Sequence, residues 1–592
     1  MKTDRSKRLL QVSQQELIDL IKTGNNRERL TKTILIFISL ILSPVTLLGA
    51  LIFYKRGYNR FMEGEFPRLN NLLPIVRVGM IIGAIIIWIF LFFISKFMIQ
   101  FAFWIFGEAA ERNPSYVLVF LGCNVLFTIL VFVWFGKWRN GIINHLTEKS
   151  RYGSARFANQ KELEPYRKPE GFYIGQNTFY KKAGHILSVA GTRAGKSVNL
   201  ILQNLLMPWL HKKMSLVISD PKGEMAAIAA KILSKSKKVF ILNPWNLLSL
   251  ENSGYNPLDI LKNDPNHLVD DVQMIAESIV PTTKEGEDSH FQDRARAFIS
   301  TLILHLVTSA EVKDRHLGTL WSWLRLDLQA WCGLLADMMV NDDPNLGDII
   351  KAGANEIASL MKNSDREYGS VISTAQKCTD FIKSPSLRKS MQGLDGFTSA
   401  DLSSGNVVIF LCIPFDRLRT HNAWLRLVVT SLMRSVIRNP KEEVCFLLDE
   451  AYSFGYHSEI DMALGAYAGF GIHVWSIFQS LVQIKKIYGD NWENFIANCS
   501  VRHFFNISDN FSSEYISKLF GTMSVPTFNE KGMLTGASPR PLVTADELRR
   551  QSGDVIYTVI DQLAPARIPK FPYYKMNLEC DPNPYYKPET NN

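Results

Sequence analysis

Cysteine is scarce in this 592-residue chain: there are seven, and no two form a C-x-x-C pair. That argues against a disulfide framework and against a zinc ribbon or finger. The cysteines read instead as reduced, buried, small apolar residues, several of them in candidate core strands, and none is expected to hold a metal. Strong charge of one sign is also lacking. The 66 Lys and Arg stand against 56 Asp and Glu, a net charge of +10. An excess of that size suits nucleic acid or an anionic membrane face without specifying either. No strong internal repeat and no low-complexity tract occurs, so a solenoid array is not expected. At this length more than one domain is expected.

What the chain does carry is the run Val189-Ala-Gly-Thr-Arg-Ala-Gly-Lys-Ser-Val198. The apolar stretch from His185 to Val189 reads as a strand entering a glycine loop, and residues 198–206 as the helix that follows. Glycine lets backbone N–H groups turn inward around phosphate oxygens, and the helix N-terminus adds positive partial charge. Lys196 has the reach for β- and γ-phosphates, and the Ser197 hydroxyl suits Mg²⁺. The predicted cradle for ATP and Mg²⁺ is Ala190, Gly191, Thr192, Arg193, Ala194, Gly195, Lys196, Ser197 and Val198. Ala190 stands where G-x-x-x-x-G-K-[ST] has its first glycine. A methyl group is compatible with that position while φ stays negative. A chance glycine turn is the plain alternative.

A second half supports the first. Val444-Cys-Phe-Leu-Leu-Asp449-Glu450 is an apolar run ending in two carboxylates, as expected of a strand buried on both faces of a parallel sheet. Asp449 is placed to hold the Mg²⁺ shell, and Glu450 to polarise an attacking water. Gln479 follows the apolar stretch 474–478. A neutral amide there can bond both the γ-phosphate and that water. Lys196, Asp449, Glu450 and Gln479 are thus the predicted catalytic set, with Ser197 and Asp449 at the metal.

From Arg151 onward strand-like runs alternate with helical ones: 216–219, 238–242, 407–412, 444–448, 473–478, 502–507 and 555–560. The alternation predicts an α/β fold, a RecA-like P-loop domain with a mostly parallel sheet. Three stretches with helical spacing, 290–306, 319–339 and 345–362, predict an all-α insertion. The expected organisation is a nucleotide-binding domain in two parts, 141–263 and 401–574, interrupted by an inserted all-α domain at 264–400. A polar tail at 575–592 follows.

Residues 1–140 differ sharply and read as a membrane anchor. The stretches 34–53, 78–95 (continuing to 106) and 116–135 are long enough to cross a bilayer. No small-residue cleavage site follows the first, which speaks against a removed signal peptide. The Lys- and Arg-rich N-terminus favours the cytoplasm, where ATP is. An even number of crossings results if 34–53 is a re-entrant or interfacial hairpin broken near Pro44, followed by two spans. Three full spans with the N-terminus outside is the rival topology.

The motifs taken together resemble the type IV secretion coupling proteins of the TraG-like kind. They are, in order, Tyr152-Gly-Ser-Ala-Arg-Phe-Ala158, the phosphate loop with Thr192-Arg193, Ser219-Asp-Pro-Lys-Gly-Glu224 and Tyr255-Asn-Pro-Leu258. Asp449-Glu450, Gly471-Ile472, Gln479-Ser480, Gln483, Tyr488-Gly489 and Arg540-Pro-Leu-Val-Thr-Ala-Asp-Glu-Leu548 follow. The resemblance covers essentially everything after residue 150. It implies a multi-pass bacterial inner-membrane ATPase with its ATPase domain in the cytoplasm, assembled as a homo-hexamer beside the inner-membrane components of a type IV secretion system. Its cargo would be single-stranded DNA carried by a relaxase, or effector proteins with adaptors.

The resemblance also places Asp220 and Lys222 at the nucleotide edge. A plain strand-to-helix turn with Pro221 at its first position is the other reading. A ring ATPase usually needs an arginine offered in trans. Some members carry a basic residue about a dozen positions before the glutamine, where this chain has Tyr467 and Ala468. Arg417, Arg419, Arg426 and Arg502 are the alternatives, and the basic-aromatic segment 417–424 either touches phosphates in a channel or is a solvated loop. Substrate choice is expected in the inserted helices or in bound adaptors. Two rival functions remain: an FtsK-like double-stranded DNA pump, and a docking receptor that binds nucleotide without turnover.

Overall fold

The computed structural model describes residues 152–585 except 263–264, 281–286, 395, 529–533 and 552. The stretches 34–53, 78–106 and 116–135 expected to enter a membrane lie outside the described residues. Among the described residues no helix is long and apolar enough to cross one.

The strands are β1 (Phe172–Gly175), β2 (Thr178–Tyr180), β3 (His185–Ala190), β4 (Met214–Asp220), β5 (Lys238–Leu242), β6 (Val407–Cys412), β7 (Glu443–Leu448), β8 (Ile472–Phe478), β9 (Cys499–Phe505), β10 (Thr522–Phe528), β11 (Leu534–Pro541), β12 (Val555–Ile560) and β13 (Ala566–Pro569). The main sheet runs β13-β12-β9-β3-β8-β7-β4-β6-β5. From β9 to β5 every neighbouring pair is parallel, while β12 pairs antiparallel with both β9 and β13. The predicted mostly parallel sheet is therefore present, with an antiparallel margin. Every residue of β3, β4, β6 and β8 is buried, as expected where helices cover both faces of a parallel sheet. Among the described residues, Tyr152–Ala155 and Gly521–Leu542, which holds the β10–β11 hairpin, belong to a separate compact unit. That hairpin pairs antiparallel from Thr522↔Pro541 to Phe528↔Leu534.

Between β5 and β6 the chain is helical, with helices Leu268–Ile279, Glu287–Ser309, Leu317–Trp323, Leu328–Met339, Gly347–Asn363, Asp365–Cys378 and Pro385–Ser390. The stretch 319–339, expected as one helix, is two. Asp327 starts the second by accepting a hydrogen bond from Ala330 N at 2.9 Å, the usual N-cap arrangement for aspartate. The chain enters and leaves this helical segment through one neck. Tyr255 N donates to Ser390 O at 2.9 Å, the Tyr255 and Phe397 rings stack 4.8 Å apart, and Ser399 donates from backbone and hydroxyl to Asp259 Oδ2. Gly254 and Gly396 make this approach possible, since a Cβ on Gly254 would stand 2.5 Å from Leu394 O. The Tyr255-Asn-Pro-Leu258 motif thus has a structural task.

Cys412, Cys445 and Cys499 are buried in β6, β7 and β9, as expected, but Cys332 is exposed. The helix after β4 begins at Glu224, with Gly223 as its cap at φ +66°. Pro221 therefore lies in the preceding turn and not at the first helical position.

Candidate nucleotide site

β3, β8, β7 and β4 lie side by side and parallel, so their C-terminal ends open on one edge. That edge is where α/β sheets bind ligands. The loop after β3 carries Gly191 to Lys196, Gln479 follows directly on β8, Asp449 and Glu450 follow directly on β7, and Asp220 ends β4. Residues as far apart in sequence as Gly191 and Gln479, 288 positions, converge because of strand order.

The loop has the shape that phosphate binding needs. Gly191 N donates to Phe505 O and Ala194 N to Gly191 O, at 3.3 and 3.1 Å. Arg193 and Gly195 both take positive φ, +58° and +77°, which turns the peptide units between them. Gly191 presses on the Asn506 carbonyl, and no Cβ would fit there. Ala190 is a buried strand residue outside the positive-φ set. Its methyl packs in the core, so the missing first glycine costs the loop nothing. Thr192 and Arg193 are exposed, Ala194 is buried, and Gly195, Lys196, Ser197 and Val198 are half-buried. The following helix opens as a π-turn, Ser197–Ile201, before the α-helical Leu202–Leu206. It starts one residue earlier than expected, at Ser197.

Lys196 Nζ lies 2.7 Å from Asp449 Oδ1 and 2.8 Å from Glu450 Oε1. The contact with Glu450 is a hydrogen bond; that with Asp449 Oδ1 is a charge contact lacking hydrogen-bond alignment. Burial acts to lower the Lys196 pKa, but the two carboxylates outweigh it and hold the group above the ordinary lysine value. Burial pushes Asp449 up from the usual carboxylate value, with Lys196 pulling the other way. Gln479 Nε2 donates to both oxygens of Glu450, and Gln479 N donates to Gln483 Oε1 at 2.9 Å. Glu450 itself sits in the left-handed region, φ +56°, a strained setting for a non-glycine residue of the kind found at functional sites. The four predicted catalytic residues are brought together.

Asp220 is placed differently. It is buried, accepts from Ala226 N at 2.9 Å, and burial pushes its pKa up to about 7. With Gly223 N donating to Asp220 O, it closes the turn into the next helix. This is the turn reading, and Lys222 is exposed beside it. Likewise Thr544 and Glu547 form a reciprocal capping box at the helix Ala545–Arg549, which accounts for that part of the Arg540–Leu548 motif.

Of the candidate arginines, Arg426 is buried and donates to Ser278 O and Phe454 O, and Arg502 donates to Ile496 O and Asp561 O. Both are committed within their own chain. Arg417 and Arg419 are exposed. The segment 417–424 is not one basic-aromatic face: Trp424 is buried at the start of the helix Asn422–Arg438, packed on Trp245.

Sequence reasoning missed the residues behind the loop. Lys570, just after β13, donates to Ala194 O at 2.9 Å and to Asn506 Oδ1 at 3.0 Å. Gln203 Nε2 donates to Val198 O and Phe571 O. Beneath β3, Ser188 Oγ meets His503 Nδ1 and accepts from Trp475 Nε1. Most of their partners are hundreds of positions distant, so no local signal marks them.

Comparison with known proteins agrees with this fold. The family described as Type IV secretory system Conjugative DNA transfer matches residues 139–591, well over half of the chain. A conjugal transfer protein TraG of Escherichia coli is 27% identical over 409 residues, covering 62% of this chain and 62% of the relative, so the chain spans less than two thirds of that relative. Another E. coli TraG is 27% identical over 461 residues, 68% of this chain and 71% of the relative. Protein VirD4 of Rhizobium rhizogenes is 25% identical over 452 residues, 71% and 63%. The plasmid coupling protein TrwB in complex with ADP and Mg²⁺ shares the fold, with a TM-score of 0.56 at 18% identity over 73% of this chain and 95% of that one. The chain belongs to the type IV secretory system conjugative DNA transfer family.

Proposed function

We propose that this protein is the coupling ATPase of a type IV secretion or conjugation system, which recruits cargo and drives its transfer by hydrolysing ATP. The observation that carries the proposal is the convergence of Lys196, Asp449, Glu450 and Gln479 at the ends of adjacent parallel strands, in front of a loop shaped for phosphate.

The residues fit ATP and Mg²⁺. Lys196, now resting on two carboxylates, is the cation that the phosphates would claim, and this would free Asp449. The Asp449 Oδ1 atom, buried without an aligned donor, together with Ser197, would hold Mg²⁺, which usually binds one or two carboxylates plus substrate phosphates. The metal would neutralise charge on the phosphate oxygens. Glu450 would orient the water and receive its proton as the water oxygen bonds to the γ-phosphorus and the bond to the β–γ bridging oxygen breaks. Gln479, already bonded to Glu450, would register whether the γ-phosphate is present. The structures of TrwB with ADP and Mg²⁺ and with an ATP analogue support this reading of the loop.

The reading extends to a homo-hexamer anchored in the bacterial inner membrane by residues 1–140, with the ATPase in the cytoplasm. Its partners would be inner-membrane components of the secretion system, and its cargo relaxase-bound single-stranded DNA or effectors with adaptors. The inserted helices at 264–400 would choose the cargo. The organisation into 141–263 and 401–574 with a tail at 575–592 belongs to the same proposal. Family membership supports it.

Phosphate release by the purified full chain, with and without single-stranded DNA, tests it. The wild type should hydrolyse ATP and respond to DNA, and Lys196→Ala should do neither. Nucleotide binding without turnover in the wild type would make the protein a docking receptor instead. Transfer of a mobilisable plasmid and of a reporter-fused effector from donor cells separates DNA cargo from protein cargo.

A further inference from the structure

Lys570 stands behind the phosphate loop and has no assigned task. Its ammonium donates to Ala194 O and to Asn506 Oδ1, at 2.9 and 3.0 Å, and lies 5.1 Å from the centre of the Phe505 ring. Asn506 is held at φ +54°, and its carbonyl is the surface on which Gly191 rests. Lys570 N is fixed by Asp554 O, and the next residue, Phe571, accepts from Gln203 on the helix that follows the loop. One cation thus ties the tip of the loop to the segment after β9, while the adjacent peptide ties down the helix behind it.

The chemistry of phosphate binding gives this tie a purpose. A loop that turns its N–H groups inward must turn its carbonyls outward, and a buried carbonyl without a donor is costly. The Ala194 carbonyl precedes Gly195, Lys196 and Ser197, whose N–H groups face the phosphate position in such loops. Rotated inward, it would aim a negative dipole at the phosphates. Lys570 supplies its donor, and brings a positive charge behind the loop without touching ligand. Burial lowers the Lys570 pKa, with Asp554 opposing it.

We propose that Lys570 is a positioning residue of the nucleotide site, holding the Ala194 carbonyl outward so that the loop stays open to phosphate. This rests on the nucleotide reading above.

The test measures the affinity of the full chain for a fluorescent ATP analogue, together with kcat and KM for ATP. The variants are Lys570→Met, Lys570→Gln, Lys570→Arg and Lys196→Ala. Lys570→Met should weaken nucleotide binding and raise KM roughly tenfold to a hundredfold, the range of a charge-assisted hydrogen bond. Its kcat should change less than about threefold. Lys570→Arg, which keeps charge and donors, should recover most of the affinity. Binding by Lys570→Met within about twofold of wild type, with Lys196→Ala inactive, overturns the proposal and leaves the nucleotide reading intact. Should Lys570→Met not fold, Lys570→Gln carries the test: loss of about threefold to tenfold supports the proposal, and wild-type affinity overturns it. If Lys196→Ala itself binds and hydrolyses like wild type, the nucleotide reading fails, and this inference with it.

Discussion

The side-chain amide of Gln479 donates to both carboxylate oxygens of Glu450, at 3.2 and 3.0 Å, joining the ends of two neighbouring strands. The residue expected to sense the γ-phosphate is therefore already in contact with the residue expected to activate water. A shift in one must be felt by the other.

Glu450→Gln removes the proton acceptor but keeps the shape and a partner for Gln479. Phosphate release should fall about 10²–10⁴-fold, the usual share of a general base, while affinity for a fluorescent ATP analogue stays within about threefold. Single-turnover and binding measurements on the same preparation check this. A comparable loss of binding would mean that Glu450 serves the ground state and not the water.

Gly191→Ala should damage the loop more than its single methyl suggests. The new Cβ would collide with the Asn506 backbone carbonyl, which sits on a strained left-handed residue and cannot retreat freely. We expect nucleotide binding to be lost and the unfolding midpoint without nucleotide to drop by a few degrees, corresponding to about 1–3 kcal/mol for overpacking. Binding and thermal melts of the variant decide it. Wild-type binding would show that the loop tolerates a different path.

Acid should destabilise the protein through its buried histidines, partly offset by Asp220, whose carboxyl burial raises to about 7. Burial lowers the pKa of His185 to about 4, and those of His211, His457 and His503 to about 3. Each is depressed below the unfolded value of 6.5, so its contribution is complete above that pH and is lost as pH falls toward the folded pKa. Between pH 6.5 and about 4 unfolding takes up as many as four protons from these groups, each worth up to about 1.4 kcal/mol per pH unit. Thermal melts across this window should show a steadily falling midpoint. A flat profile from pH 6.5 to 5 would contradict the burial described here.

Arg426 is a structural cation, not the arginine offered to a neighbour. Its guanidinium is buried, its pKa is lowered by burial to about 10, and it bridges two backbone carbonyls. Arg426→Ala should cost about 3 kcal/mol of stability while phosphate release per folded molecule changes less than about threefold. Loss of a trans arginine costs 10³-fold or more. A loss of that size in a well-folded Arg426→Ala protein would reverse the assignment. In Arg417→Ala or Arg419→Ala, both at exposed positions, it would locate the trans group.

Much of the sheet was legible because burial on both faces leaves unbroken apolar runs. Lys238–Leu242, Val407–Cys412 and Val555–Ile560 coincide with β5, β6 and β12. Asp449, Glu450 and Gln479 could be placed for a related reason: each follows such a run within two residues, while Lys196 was placed by its glycine loop. Where polar residues interrupt the apolar signal the reading slipped. β9 starts at Cys499 and not at Arg502, since Ser500 and Arg502 obscure its first half. The short strands β1, β2 and β13 and the β10–β11 hairpin were not foreseen. Lys570 was out of reach for a deeper reason. Its hydrogen-bond partner Ala194 is 376 positions away, and nothing local distinguishes such a lysine from a solvated one. At Asp220 the turn reading has a visible basis: its Oδ2 accepts from Ala226 N across the turn that follows β4.

The neck formed by Tyr255, Phe397 and the Gly254–Gly396 crossing makes the helical segment a graft on the sheet. Both its ends leave the stock at one junction, so the segment can be exchanged or reshaped with a single seam to heal. The strand ends that carry Lys196, Asp449, Glu450 and Gln479 need not register the change. A lineage built this way can vary the helical segment while inheriting the sheet unaltered.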